Sequence, residues 1–200
     1  RDVGCAPDLL PGHRNLTSEQ GRQRIAEAWD AQVPPFSGVG ALDITSAINN
    51  GKVKALHIVG NNPNFTNGEL GDFLEAAKSL DFLVVQDTFS SELTGLADVV
   101  LPSQTFAERK GTYTNLERRV QLLRPALGPK GDGEADWRTI SQIAQRMGAS
   151  GFDYTEEDPI FDELNNIVRV YGGLSYGRLE SEGLQWPCLA ADMVDTPYLY

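Results

Sequence analysis

Two cysteines, two histidines and two methionines are all that the 200 residues contain of these types. Cys5 and Cys188 lie near opposite ends, with no CxxC and no histidine close by. A zinc or iron–sulfur site needs more ligands than that, so the residues offer no metal site. A disulfide between them stays open on sequence alone, and two reduced thiols is the simpler reading. His13 and His57 are far apart, and no nucleophile–base–acid set or acid pair at catalytic separation can be assembled. Neither GxGxxG nor a Walker A loop occurs, which leaves NAD and P-loop binding without a motif. No run approaches the roughly 20 apolar residues that cross a bilayer. Positive charge is scarce as well: 17 Lys and Arg stand against 28 Asp and Glu, a net charge of −11. That balance argues against a nucleic-acid backbone or an anionic membrane as partner. It does not exclude a phosphate-bearing ligand, because helix N-termini and backbone amides hold phosphate without net positive charge.

What is present is ordinary globular material, 40% hydrophobic and 22% charged. The length suits one large domain or two small ones; the expectation is a single α/β domain over residues 1–200, with linker-like ends at 1–16 and 185–200. The chain opens Arg1-Asp2-Val3-Gly4-Cys5, with neither an initiator Met nor a signal-peptide core, and reads as a piece of a longer polypeptide.

The most telling stretch is Ala55 to Thr66, ALHIVGNNPNFT. Ala55 to Val59 is a short apolar run that suits a strand buried on both faces. Gly60-Asn61-Asn62-Pro63 ends it, and a helical pattern carrying Leu70, Phe73, Leu74 and Ala77 follows. Asp81 to Asp87 is a second buried run, a short helix candidate spans Ser90 to Gly95, and Ala97 to Pro102 is a third strand. Strand, helix, strand, helix, strand within fifty residues implies βαβ crossovers and a parallel sheet. The expected fold is therefore a three-layer α/β, Rossmann-like sheet with helices on both faces.

Around this core, Thr17 and Ser18 offer an N-cap for a helix reaching about Asp30, and Leu42 to Ile48 suggest a second helix. Residues 106–121 read as a loop or small hairpin packed against the sheet. Asp136 caps a helix with Trp137, Ile140, Ile143, Ala144 and Met147 on its apolar face, closed by Gly148. Asp158-Pro159 opens another, with Ile160, Phe161, Leu164, Ile167 and Val168. A short helix and an extended tail complete the chain.

Ligands of open parallel sheets bind beyond the carboxyl ends of the strands. Those ends are Gly60-Asn61-Asn62-Pro63, Gln86-Asp87-Thr88 and Pro102-Ser103-Gln104-Thr105, with Glu134 and Asp136 near another helix start. Asn, Gln, Thr and Asp together suit a nucleotide, since an Asp accepts from guanine N1–H and N2–H₂ or from ribose hydroxyls. The plainer reading is that Asn-Asn-Pro is turn chemistry, Asp136 a helix cap and His57 a packed strand residue.

Several segments together resemble the molybdopterin oxidoreductases: VGNNPNFTN after a strand, LDFLVVQDTFSSELTGLADVVLPSQTFAERKGTYTNLERRVQ, EADWRTISQIAQRMG and SYGRLESEGLQWPC. They cover nearly the whole chain and are similar to formate dehydrogenase alpha subunits and to the large iron–sulfur subunit of NADH-quinone oxidoreductase. The resemblance implies a dinucleotide-binding-like third domain that holds one guanosine half of bis(molybdopterin guanine dinucleotide), with Mo or W at the parent's metal centre. It implies cofactor-binding roles for Gly60, Asn61, Asn62, Thr66, Gln86, Asp87, Ser103 and Asp136, the last as the guanine-binding aspartate. At Asn62 the family often has an acidic residue, so an amide contact stands where a carboxylate is usual. Iron–sulfur clusters and the catalytic residues are implied in the parent, outside this stretch, and Cys5 does not match the metal ligand. The implied partners are the parent's remaining domains and electron-transfer subunits, in the cytoplasm or peripheral to the inner membrane. Alone, the fragment is expected to be inert. The alternative branch makes it an architectural domain of the NADH-quinone oxidoreductase subunit, without cofactor.

Overall fold

The computed structural model describes residues 6–60 and 72–196. In chain order the elements are β1 (Leu9–Leu10), β2 (Arg14–Asn15), α1 (Glu19–Trp29), α2 (Ile44–Asn49), β3 (Ala55–Val59), α3 (Phe73–Ala77) and β4 (Phe82–Asp87). They continue with α4 (Glu92–Leu96), β5 (Val99–Pro102), β6 (Gly111–Thr114), β7 (Arg119–Leu123), α5 (Asp136–Arg146), α6 (Glu157–Ile167), α7 (Tyr176–Leu179) and β8 (Leu184–Gln185). The chain divides into two compact units. One comprises Arg1–Gly38, Arg109–Pro125 and Ala144–Tyr200; the other comprises Val39–Glu108 and Ala126–Ile143.

The second unit holds the parallel sheet, in the order β3-β4-β5. Its register pairs His57 with Val84, Val59 with Gln86 and Val85 with Val100. Side chains alternate across a strand, so Leu56 and Ile58 point with Leu83 and Val85 toward α2, α3 and α4. There they pack with Ile48, Phe73, Ala76, Ala77 and Leu93. Each such side chain, when fully buried, contributes roughly 1.5–3 kcal/mol relative to exposure. Ser91 starts α4 with a capping box: its hydroxyl accepts from the Thr94 N–H while the Thr94 side chain accepts from the Ser91 N–H.

A parallel sheet flanked by helices is the architecture the apolar runs predict. Burial differs at β3, expected to be covered on both faces. Ala55, His57 and Val59 are exposed, and across the same face so are Phe82 and Val99. The βαβ crossovers place α3 and α4 together on the opposite face, and on this one Gln86 meets the first residue of α5.

The first unit is built on a different core. Ile25 of α1 is fully buried among Leu10, Leu16, Val120, Phe161, Val168 and Tyr171. Ser18 caps α1, its Oγ accepting from the Gly21 N–H at 3.1 Å. Of the two readings of 106–121, loop or small hairpin, the hairpin forms, from β6 and β7. β8 adds a third antiparallel strand, so the hairpin builds a sheet of its own in this unit and is no part of the parallel sheet. Within the ends read as linker-like, described residues are packed. Leu10, Leu16, Gln185 and Cys188 are buried, and the Arg119 guanidinium donates to the Gly183 carbonyl at 2.7 Å and to Gln185 Oε1 at 3.2 Å.

Candidate functional site

At the carboxyl end of the parallel sheet three of the predicted polar residues meet. Gln86 is the penultimate residue of β4 and has no exposed surface. Its side chain alternates onto the face away from α3 and α4. There its amide Nε2 donates to Asp136 Oδ1 at 2.9 Å. Ser103, just past β5 and 9% exposed, donates its hydroxyl to the same Oδ1 at 2.7 Å. Buried amides and hydroxyls are retained when they are bonded, and here both bonds converge on one carboxylate oxygen. The two donors fix the orientation of the Asp136 side chain.

Backbone pairing explains why Asp136 arrives there. Glu134 forms a parallel bridge with Ser103: its N–H donates to the Pro102 carbonyl at 3.1 Å, and its carbonyl accepts from the Gln104 N–H at 3.0 Å. Gly133 permits that approach, because a Cβ there would lie 3.2 Å from the Ser103 carbonyl oxygen. Two residues later α5 begins at Asp136. The position first read as a helix cap is instead the first residue of α5, and it accepts from two separate strand ends. The Glu134 carboxylate lies 3.7 Å from Arg138 on α5.

The remaining candidates sort by position. Gly60 follows β3 with φ +60, where a side chain would be strained, and its N–H donates to the Gln86 carbonyl at 2.8 Å. Asp87 turns its carboxylate to its own loop: Oδ1 accepts from the N–H groups of Thr88 and Phe89 at 2.7 and 3.4 Å. That is an Asx turn, and it shapes the strand end. Asn61, Asn62 and Thr66 lie outside the described residues.

His57 corrects the sequence reading. It is exposed, not packed, and its Nε2 lies 3.2 Å from Gln86 Oε1. Asp136, Gln86 and His57 therefore form a chain of hydrogen bonds across the sheet face. The parity of β3 and β4 was available from sequence; the exposure of that face was not. Among the described residues no helix is long and apolar enough to cross a membrane.

Residues 9–146 match the family described as molybdopterin oxidoreductase. The chain is 40% identical over its full length to the F420-dependent formate dehydrogenase subunit alpha of Methanocaldococcus jannaschii, and covers 29% of that protein. It is 37% identical, again over its full length and over 29% of the relative, to the F420-dependent formate dehydrogenase 2 subunit alpha of Methanococcus maripaludis. It thus spans about three tenths of these relatives. Both relatives are named as formate dehydrogenase subunits. Among solved structures, acetylene hydratase from Pelobacter acetylenicus superposes with a TM-score of 0.54 at 18% identity, covering 84% of this chain and 24% of that one. That likeness concerns the fold.

Proposed function

Because the chain belongs to the molybdopterin oxidoreductase family, we propose that it is the part of a formate dehydrogenase catalytic subunit that holds the guanosine end of the molybdenum cofactor. The observation that carries this is the convergence of buried Gln86 and Ser103 on Asp136 Oδ1. Guanine presents a paired donor edge, N1–H and N2–H₂. A fixed carboxylate matches it, and hydrogen bonds to a charged acceptor are stronger than neutral ones. An adenine edge, which presents an acceptor at N1, would be repelled there. The residues therefore fit the guanine dinucleotide form of the cofactor.

In this reading Asp136 binds the base, while Gln86 and Ser103 hold its carboxylate in place. Gly60 gives the β3 turn the backbone freedom to approach the nucleotide, and Asn61, Asn62 and Thr66 extend that contact. Asp87 shapes the β4 end nearest the ribose. Oxidation of formate to carbon dioxide needs a two-electron acceptor, which the cofactor's molybdenum or tungsten supplies when bound. This chain contributes no group to that step; it anchors and orients. The parent passes the electrons on to partner subunits in the cytoplasm or at the inner membrane.

The test is Asp136→Asn in the full-length parent. The substitution keeps the shape and turns one acceptor oxygen into a donor. Guanine content of the purified protein is expected to fall at least tenfold, about 1.4 kcal/mol, and formate oxidation with it. Unchanged guanine content would remove Asp136 from the site, and a parent with neither bound molybdenum or tungsten nor formate turnover would end the formate dehydrogenase reading.

A further inference from the structure

The first unit contains a solvent-open cavity of about 590 Å³. It lies between the C-terminal end of α1, the loop after α5, and α6. The volume is in the range of small-molecule sites. Trp29 and Phe152 line it, Trp29 with 44% of its surface exposed. Two carboxylates, Asp30 and Glu163, complete the wall, and no lysine, arginine or histidine does.

The two acids are held there by structure. Glu163 accepts a hydrogen bond from the Tyr154 hydroxyl, which ties the carboxylate to the cavity wall. Asp30 is the C-cap of α1 and sits in the left-handed region at φ +47, with its N–H bonded to the Ala26 carbonyl. Glycine is the residue that takes this position without strain, yet here a carboxylate side chain sits next to Trp29. Tyr154 reports the local field. Burial, the bond to Glu163, and the charges of Glu163 and Asp153 together push its hydroxyl up to about 12. An anionic ligand is disfavoured by the same charges. A bare metal ion is a poor match too: hard cations need six or more oxygen ligands or several waters, and no group of three metal-ligating side chains occurs among the described residues.

We propose that this cavity binds a small organic cation, an ammonium or guanidinium group carried on an apolar body. The Trp29 face attracts the cation through its ring quadrupole, Phe152 covers the apolar body, and Asp30 and Glu163 supply the counter-charge. Tyr154 keeps Glu163 in place. This site is independent of the guanosine reading, and neither stands or falls with the other.

The test is calorimetric titration of the full-length parent with choline and with ethylguanidinium, beside 3,3-dimethylbutan-1-ol, the neutral isostere of choline. At least one cation is expected to bind, more weakly as salt is raised, with the isostere at least about tenfold weaker. Trp29→Leu should weaken the cation by roughly threefold to thirtyfold. Asp30→Asn, which retains a residue tolerant of the left-handed region, should weaken it by a similar factor. Thermal unfolding of each variant confirms that the fold is kept. Equal binding of the isostere, no binding of either cation, or unchanged affinity in both variants would overturn the proposal.

Discussion

Gln86 shows how much one buried side chain can organise. Its Nε2 donates to Asp136 and its Oε1 faces His57, so both ends of the amide are used inside a fully buried position. Replacing it with leucine keeps the volume but removes a donor to the Asp136 carboxylate and the partner of His57 Nε2. Gln86→Leu is expected to lower stability by about 1–3 kcal/mol in urea unfolding. It should also reduce guanine retention in the parent, by less than Asp136→Asn, because Ser103 still holds the carboxylate. Gly173 is a second residue with a sharp expectation. A Cβ there would lie 2.2 Å from the Ala190 carbonyl oxygen and 2.7 Å from Cys188 Sγ. Backbone cannot yield as a flexible side chain can, so Gly173→Ala should destabilise by about 1–3 kcal/mol or more, read from the urea midpoint.

At the scale of elements, local signals and tertiary packing separate cleanly. The start of α4 rests on its capping box, and Ser91→Ala should cost about 1 kcal/mol in chemical denaturation. Strand runs and helix periods were legible because each follows from a local pattern; for residues 106–121 a loop and a small hairpin both stood open, and strand pairing decided for the hairpin. Faces were less legible. The apolar stripe expected on α5 is only partly covered: Trp137, Ile143 and Ala144 are half-buried, while Ile140 and, just past the helix, Met147 are 44% and 81% exposed, and Ser141 is buried. Periodicity states which residues share a face; it does not state what that face meets. β8 escaped prediction for a related reason: two residues, Leu184–Gln185, carry no period, and only pairing with β7 makes them a strand.

Among the described residues the chain carries two cores, and unit 1 is assembled from three separated stretches of chain. Its titrating groups predict an alkaline response. The Tyr154 hydroxyl is raised to about 12, chiefly by burial; Tyr176 is raised by burial and by Glu157 and Asp158; Lys110 is raised chiefly by its bond to Asp158. A pKa higher in the folded than in the unfolded state gives stability that is fully present below the unfolded value and lost as pH climbs through the folded one. These contributions are therefore intact at neutral pH and decline above 10.0, the ordinary tyrosine value, toward about 12 for Tyr154. Thermal unfolding midpoints should fall over that window, and Tyr154→Phe should make the fall shallower while leaving its position at pH 7 to 9 as the reference.

By itself the sequence determined the alternating strands and helices of the parallel sheet, the cap at Thr17-Ser18, and the family, because these rest on neighbours in the chain and on motifs a few residues long. It also named Gln86, Ser103 and Asp136 as polar residues at strand and helix ends. Only the tertiary structure decided that all three share one carboxylate oxygen, that Asp87 serves its own turn, and that His57 joins the chain of bonds. The physical reason is range. Positions 86, 103 and 136 are brought together by strand register and by the Glu134 bridge, and hydrogen-bond geometry at 2.7 to 2.9 Å depends on both at once.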